Sequence, residues 1–196
     1  MPTSLRSLLQ GLLTSALGVL LAAGLWGLAS QPAQASLTSN SYDGNIYALY
    51  AGNGSLVPPR SSLAQALSDH RTTVVIYYLD DDAASKQFSA VVSELQRVWL
   101  NNIELIPLVT DPLQNRGDAG PSDPAHYWRG QVPQVVVFNT EGRVVFDEQG
   151  LVDVDAINAA VSQATGIPLP EGGTRSSTES FNELNSEVVS SQGISR

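Results

Sequence analysis

The segment that most limits the fold is Thr73-Val74-Val75-Ile76-Tyr77-Tyr78-Leu79, an unbroken β-branched and aromatic run. A strand that is apolar on every residue has both faces covered, so it belongs at the centre of a sheet. Asp80-Asp81-Asp82 stops it. Beyond it Phe88, Val91, Val92, Leu95, Val98 and Trp99 recur at i, i+3, i+4, i+7, i+10 and i+11, one stripe of a helix running from about Ala83 to Leu100. Asp82 is placed to cap that helix.

Further elements follow in order. Ile103 to Val109 reads as a strand, and Pro107 takes away a ladder donor, so the strand lies near an edge. Asp111 to His126 is a loop rich in Asp, Pro and Gly. Gln134 to Phe138 and Arg143 to Phe146 form a hairpin through Asn139-Thr140-Glu141-Gly142. Val154, Ile157, Ala160, Val161 and Ala164 line a last helix, stopped by Gly166 and Pro168. The chain is thus α/β, with a mixed central sheet and flanking helices: the crossover gives parallel neighbours and the hairpin antiparallel ones.

Before the first strand, a short helix runs from Ser61 or Ser62 to about Asp69. Residues 36–60 are rich in Ser, Asn, Gly, Tyr and Pro and read as a linker, with at most one short strand over Asn45 to Tyr50. Residues 170–196 hold too few apolar side chains to offset the entropy of ordering and read as a disordered tail.

The first 35 residues read as an export address. Arg6 is the only charge before an apolar run of about 19 residues, Gly11 to Ala29, which ends in Gln31-Pro32-Ala33-Gln34-Ala35-Ser36. Small residues at Ala33 and Ala35 suit a signal peptidase, with cleavage between Ala35 and Ser36. The alternative is an uncleaved anchor through residues 7–29, since the run is near the roughly 20 residues that span a bilayer. Both place the remaining chain outside the cytoplasm.

Composition excludes several chemistries. The 196 residues contain no cysteine, so no disulfide, thiolate nucleophile or Cys-based metal site exists. The net charge is −9 and the basic residues are scattered, which argues against nucleic acid as a partner. Asp80, Asp81 and Asp82 are hard oxygen donors, but no calcium-loop spacing follows, and Asp111, Asp118 and Asp123 have the same weak claim; no metal or other cofactor is expected. His70 and His126 lie in no Ser-His-Asp order.

The element order, with Pro133 just ahead of the hairpin, resembles the thioredoxin fold over about Ser61 to Gly166, within a domain bounded at 61–169. Where thioredoxins carry Cys-x-x-Cys-Lys, this chain reads Asp82-Ala83-Ala84-Ser85-Lys86, and Val132-Pro133 matches the proline step that faces that motif in a cis bond. Without thiols the disulfide chemistry is lost, so no catalytic residue is expected. Asp82 with Ser85 is then either a modified pocket or a helix cap and its first turn. Val132 to Phe138 followed by Glu141 to Asp147, together with the leader, resembles a narrower family, the thylakoid membrane photosystem I accumulation factors.

That resemblance implies a thylakoid membrane or lumen location, with the periplasm as the alternative. It also implies photosystem I subunits or other assembly factors as partners, and a non-catalytic role in photosystem I accumulation. A partner surface is expected where Asp80, Asp81, Asp82 and Ser85 meet Tyr127, Trp128, Val132 and Pro133, the backbone of Val132 pairing with an extended segment; a plain structural turn at Pro133 is the competing reading. Two other functions stay open: an exported peptide-binding module unrelated to photosynthesis, and an enzyme using the Asp82/Ser85 pocket.

Overall fold

The computed structural model describes residues 36–169. The chain divides into two units, residues 1–34 and 35–196, and the described residues belong to the second. The leader, the Ala35 side of its cleavage site and the tail after Leu169 therefore lie outside the described residues.

The second unit is built on a four-stranded mixed sheet in the order β2-β1-β3-β4. Strand β1 is Thr73–Tyr78, β2 Glu104–Val109, β3 Gln134–Phe138 and β4 Val144–Gln149. Strands β1 and β2 are parallel, while β3 is antiparallel to both β1 and β4. All six residues of β1 and all five of β3 are buried, because residues i and i+2 feed opposite layers. Val74, Ile76 and Tyr78 face one core together with Val135 and Val137. Val75 and Tyr77 face the other with Val136 and Phe138. That is why the run Thr73–Tyr78 has no polar alternation. Strand β2 takes the edge that Pro107 requires, and Pro107 lies opposite Ile76.

The first core is covered by the long helix Ala83–Trp99 (α3) and the last helix Val154–Thr165 (α4). Phe88, Val92, Leu95 and Trp99 of α3 are buried there with Ile157 and Val161 of α4. Trp99 Nε1 donates to Asn158 Oδ1 at 2.8 Å, joining the two helices inside the core. Gly166 (φ +69) ends α4 in the left-handed conformation that favours glycine. The second core is closed by the short helix Leu63–Ser68 (α2) and Leu113. Between β2 and β3 the chain runs through two 3₁₀ turns, Asp111–Leu113 and Pro124–His126.

The structure corrects the reading of residues 36–60. They are no linker, and Asn45–Tyr50 is no strand. Ile46–Leu49 is a short helix (α1), capped by Asn45, whose side chain accepts from the Ala48 N–H. Ile46, Tyr47, Tyr50 and Leu56 are all buried in the first core. Spacing at i, i+1 and i+4 turns Ile46, Tyr47 and Tyr50 to one side of a helical turn. Burying such side chains is worth about 1.5–3 kcal/mol each, which outweighs the β-propensity of Ile and Tyr in so short a run.

Candidate functional site

The turn from β1 into α3 occupies the place of the expected motif. Asp82 caps α3: its carboxylate accepts the Ser85 N–H at 2.7 Å. Ser85 Oγ in turn accepts the Leu79 N–H at 3.2 Å, and Ser85 is 1% exposed. Both groups are consumed in holding the turn, which corrects the placement of Ser85 on a partner surface. Asp80 Oδ1 accepts the Ile46 N–H at 3.0 Å. Burial pushes the Asp80 carboxyl above its ordinary value, opposed by that hydrogen bond. Asp80 is a tether for α1, and of the three aspartates only Asp81 is exposed. Among the described residues no three His, Asp or Glu side chains gather as a metal-ligand group.

One turn further along α3 lies Lys86, which is wholly buried. Its Nζ donates to the carbonyls of Ser36 (3.3 Å), Ser39 (3.0 Å) and Ser41 (2.6 Å) and pairs with Asp43 Oδ2 at 2.5 Å. Lys86, with help from Tyr50 Oη, Ser41 and Ser36 N, holds the Asp43 carboxyl well below the usual carboxylate range. The Ala83 N–H donates to Asn40 Oδ1 at 2.9 Å. Residues 36–50 thus form a strap over the N-terminal end of α3. Sequence reading matched Lys86 only to the motif lysine. Its partners lie more than 40 residues away, so local pattern carries no trace of them.

The remaining predicted residues divide. The Val132–Pro133 bond is cis. Pro133 is buried, and its carbonyl accepts the Gly150 N–H at 2.7 Å. Neither the N–H nor the C=O of Val132 is hydrogen-bonded among the described residues. Gln134, fully buried, fixes the approach to this step. Its Oε1 accepts the Arg129 N–H, and its Nε2 donates to the Tyr127 carbonyl and Asp147 Oδ1, both at 2.8 Å. Tyr127 packs edge-on against Phe138 at 4.8 Å and donates to the Pro121 carbonyl, so it serves the loop's own packing. Trp128 lies over Tyr77 with ring centroids 5.4 Å apart.

Trp128 and Val132 share a cleft of about 350 Å³ with Leu79, Thr110, Gln114, Asn115 and Gly130. It opens where the C-terminal ends of β1 and β2 meet the loop before β3. Its walls combine apolar side chains with the free backbone of Val132, and Thr110 Oγ1 is buried there with no partner among the described residues. Of the residues expected to converge, Trp128 and Val132 line this cleft, and the Asp80–Ser85 turn does not. The cleft leaves out Asp80, Asp81, Asp82, Ser85, Tyr127 and Pro133. Leu79 and Thr110 were missed; their positions at the ends of adjacent parallel strands are the signal that marks them, because loops leaving such ends frame a crevice.

No protein-family model matches the chain. It is 31% identical over 184 residues to the thylakoid membrane protein slr1796 of Synechocystis sp. (strain ATCC 27184 / PCC 6803 / Kazusa), which covers 91% of this chain and 92% of that protein. No helix among the described residues is long and apolar enough to cross a membrane.

Proposed function

We propose that this chain, which belongs to the family of the thylakoid membrane protein slr1796, is a non-catalytic thioredoxin-like factor on the lumenal side of the thylakoid that supports photosystem I accumulation by binding another protein. The sheet order, the parallel β1–β2 pair, the antiparallel hairpin and the long helix after β1 support the thioredoxin-like part. The absence of any cysteine supports a binding role over disulfide exchange. The resemblance of Val132–Phe138 and Glu141–Asp147 to the accumulation factors supports the photosystem part.

The observation that carries the reading is the pairing of a free backbone with an apolar wall. Val132 leaves an N–H and a C=O unbonded beside Leu79 and Trp128. An extended segment of a partner adds its own backbone there as a strand would, and its apolar side chain fills the cleft. Trp128 is the anchor of that site. Asp82 and Ser85 are engaged in capping, so an enzyme built on them is the weaker reading.

Affinity capture of the tagged chain from thylakoids tests this. Photosystem I subunits or their assembly factors come down with the wild-type chain and not with Trp128→Ala. Equal recovery by both would place the binding face elsewhere.

A further inference from the structure

A polar cluster centred on the buried Lys86 lies at the strap, and no residue lining the cleft belongs to it. Asp43 Oδ2 accepts from Lys86 Nζ at 2.5 Å, from Tyr50 Oη at 2.8 Å and from Ser36 N at 3.4 Å. Ser36 is half-buried, and its carbonyl is also held by Lys86. Its backbone nitrogen is the atom that cleavage between Ala35 and Ser36 would convert to a chain terminus.

We propose that the Asp43–Lys86 cluster is a docking site for the chain's own processed N-terminus. An export peptidase hydrolyses the Ala35–Ser36 bond; water supplies the hydroxyl to the Ala35 carbonyl carbon and a proton to Ser36 N. The freed amine takes up one more proton at neutral pH, and the Ser36 ammonium pairs with Asp43. Processing thereby exchanges one long amide contact for an ion pair that fastens the end of the strap. This rests on the export reading of the first 35 residues and is independent of the photosystem reading.

The charges around Ser36 N decide the outcome. The strap contributes Asp43, to which the Tyr50 hydroxyl also donates, and α3 contributes Lys86. Lys86 and the positive end of the α3 dipole repel an ammonium. Lys86 is already paired with three carbonyls and Asp43, however, and Asp43 Oδ2 lies 3.4 Å from Ser36 N, where its attraction opposes that repulsion.

A terminus docked this way titrates above the roughly 7.7–8.0 of a free α-amino group. Its stabilisation is complete below that ordinary value and is lost as pH rises through the folded one. The experiment begins with N-terminal sequencing of the native protein, which gives Ser36; any other mature terminus overturns the proposal. The processed chain is then compared with the same chain acetylated at Ser36. At pH 7 the free terminus melts a few degrees higher. The gap closes by about pH 10 and is absent at pH 7 in an Asp43→Asn background. An acetylated chain that melts at the same temperature or higher at pH 7 would show that repulsion by Lys86 prevails, and would overturn the proposal.

Discussion

Lys86 Nζ and Asp43 Oδ2 are 2.5 Å apart, and the lysine side chain has no solvent exposure. The pair closes the N-terminal end of α3 beneath a strap that the sequence presents as a linker. The turn from β1 into α3 is held by hydrogen bonds through Asp82 and Ser85, with Asp81 exposed. The open ground lies instead at Val132, Trp128 and Leu79.

Lys86→Met therefore lowers stability by about 3 kcal/mol, because it strands three carbonyls and a carboxylate that the ammonium served. Urea unfolding followed by circular dichroism measures this. Limited proteolysis of the variant cuts first within residues 36–45, while the sheet stays protected.

Acid separates Asp43 from the other carboxylates. Its folded value is depressed, so its contribution is present above the ordinary value of about 3.9 and is lost as pH falls through the folded one. The urea midpoint of the wild type stays level from pH 7 to 5 and drops below about pH 4. Asp43→Asn starts lower and shows a smaller drop. Asp118, also depressed by the Gly120 N–H and His126, adds to the drop in both proteins, and Asp80, raised by burial, opposes it in both.

Trp99→Phe removes the donor to Asn158 Oδ1 inside the core, where Asn158 Nδ2 already lacks a partner. Leaving that amide unpaired costs about 1–3 kcal/mol. Adding Asn158→Leu to Trp99→Phe recovers much of the loss, since both polar ends are then gone. A double-mutant cycle in urea reads the coupling.

Thr110→Val probes the cleft. The hydroxyl is buried without a partner among the described residues, so the isosteric apolar change holds or raises stability by about 1 kcal/mol. Urea unfolding of the variant reads this difference.

Much of the fold was legible because burial and period agree. Thr73–Tyr78 and Gln134–Phe138 are apolar on both faces and are buried on both. The stripe from Phe88 to Trp99 is the core face of α3, and Pro107 marked the edge. The strap was hidden because Ile46, Tyr47 and Tyr50 fit a strand as well as a helical turn. Asp80, which fixes that turn by accepting the Ile46 N–H, lies 34 residues away. The site was half legible. Val132 and Trp128 came from resemblance and from aromatic character, whereas Leu79 and Thr110 become neighbours only through the β1–β2 pairing. Asp82 was legible as the cap of α3 from its place before the apolar stripe, and hydrogen bonding consumes both Asp82 and Ser85.

The most direct test of the binding role in photosystem I accumulation is the ratio of photosystem I to photosystem II, measured in a strain lacking the gene under growth light and high light. The account predicts that the ratio falls on deletion, returns with the wild-type chain, and stays low with a Trp128→Ala chain that accumulates to wild-type level. An unchanged ratio on deletion, or full restoration by Trp128→Ala, would contradict it.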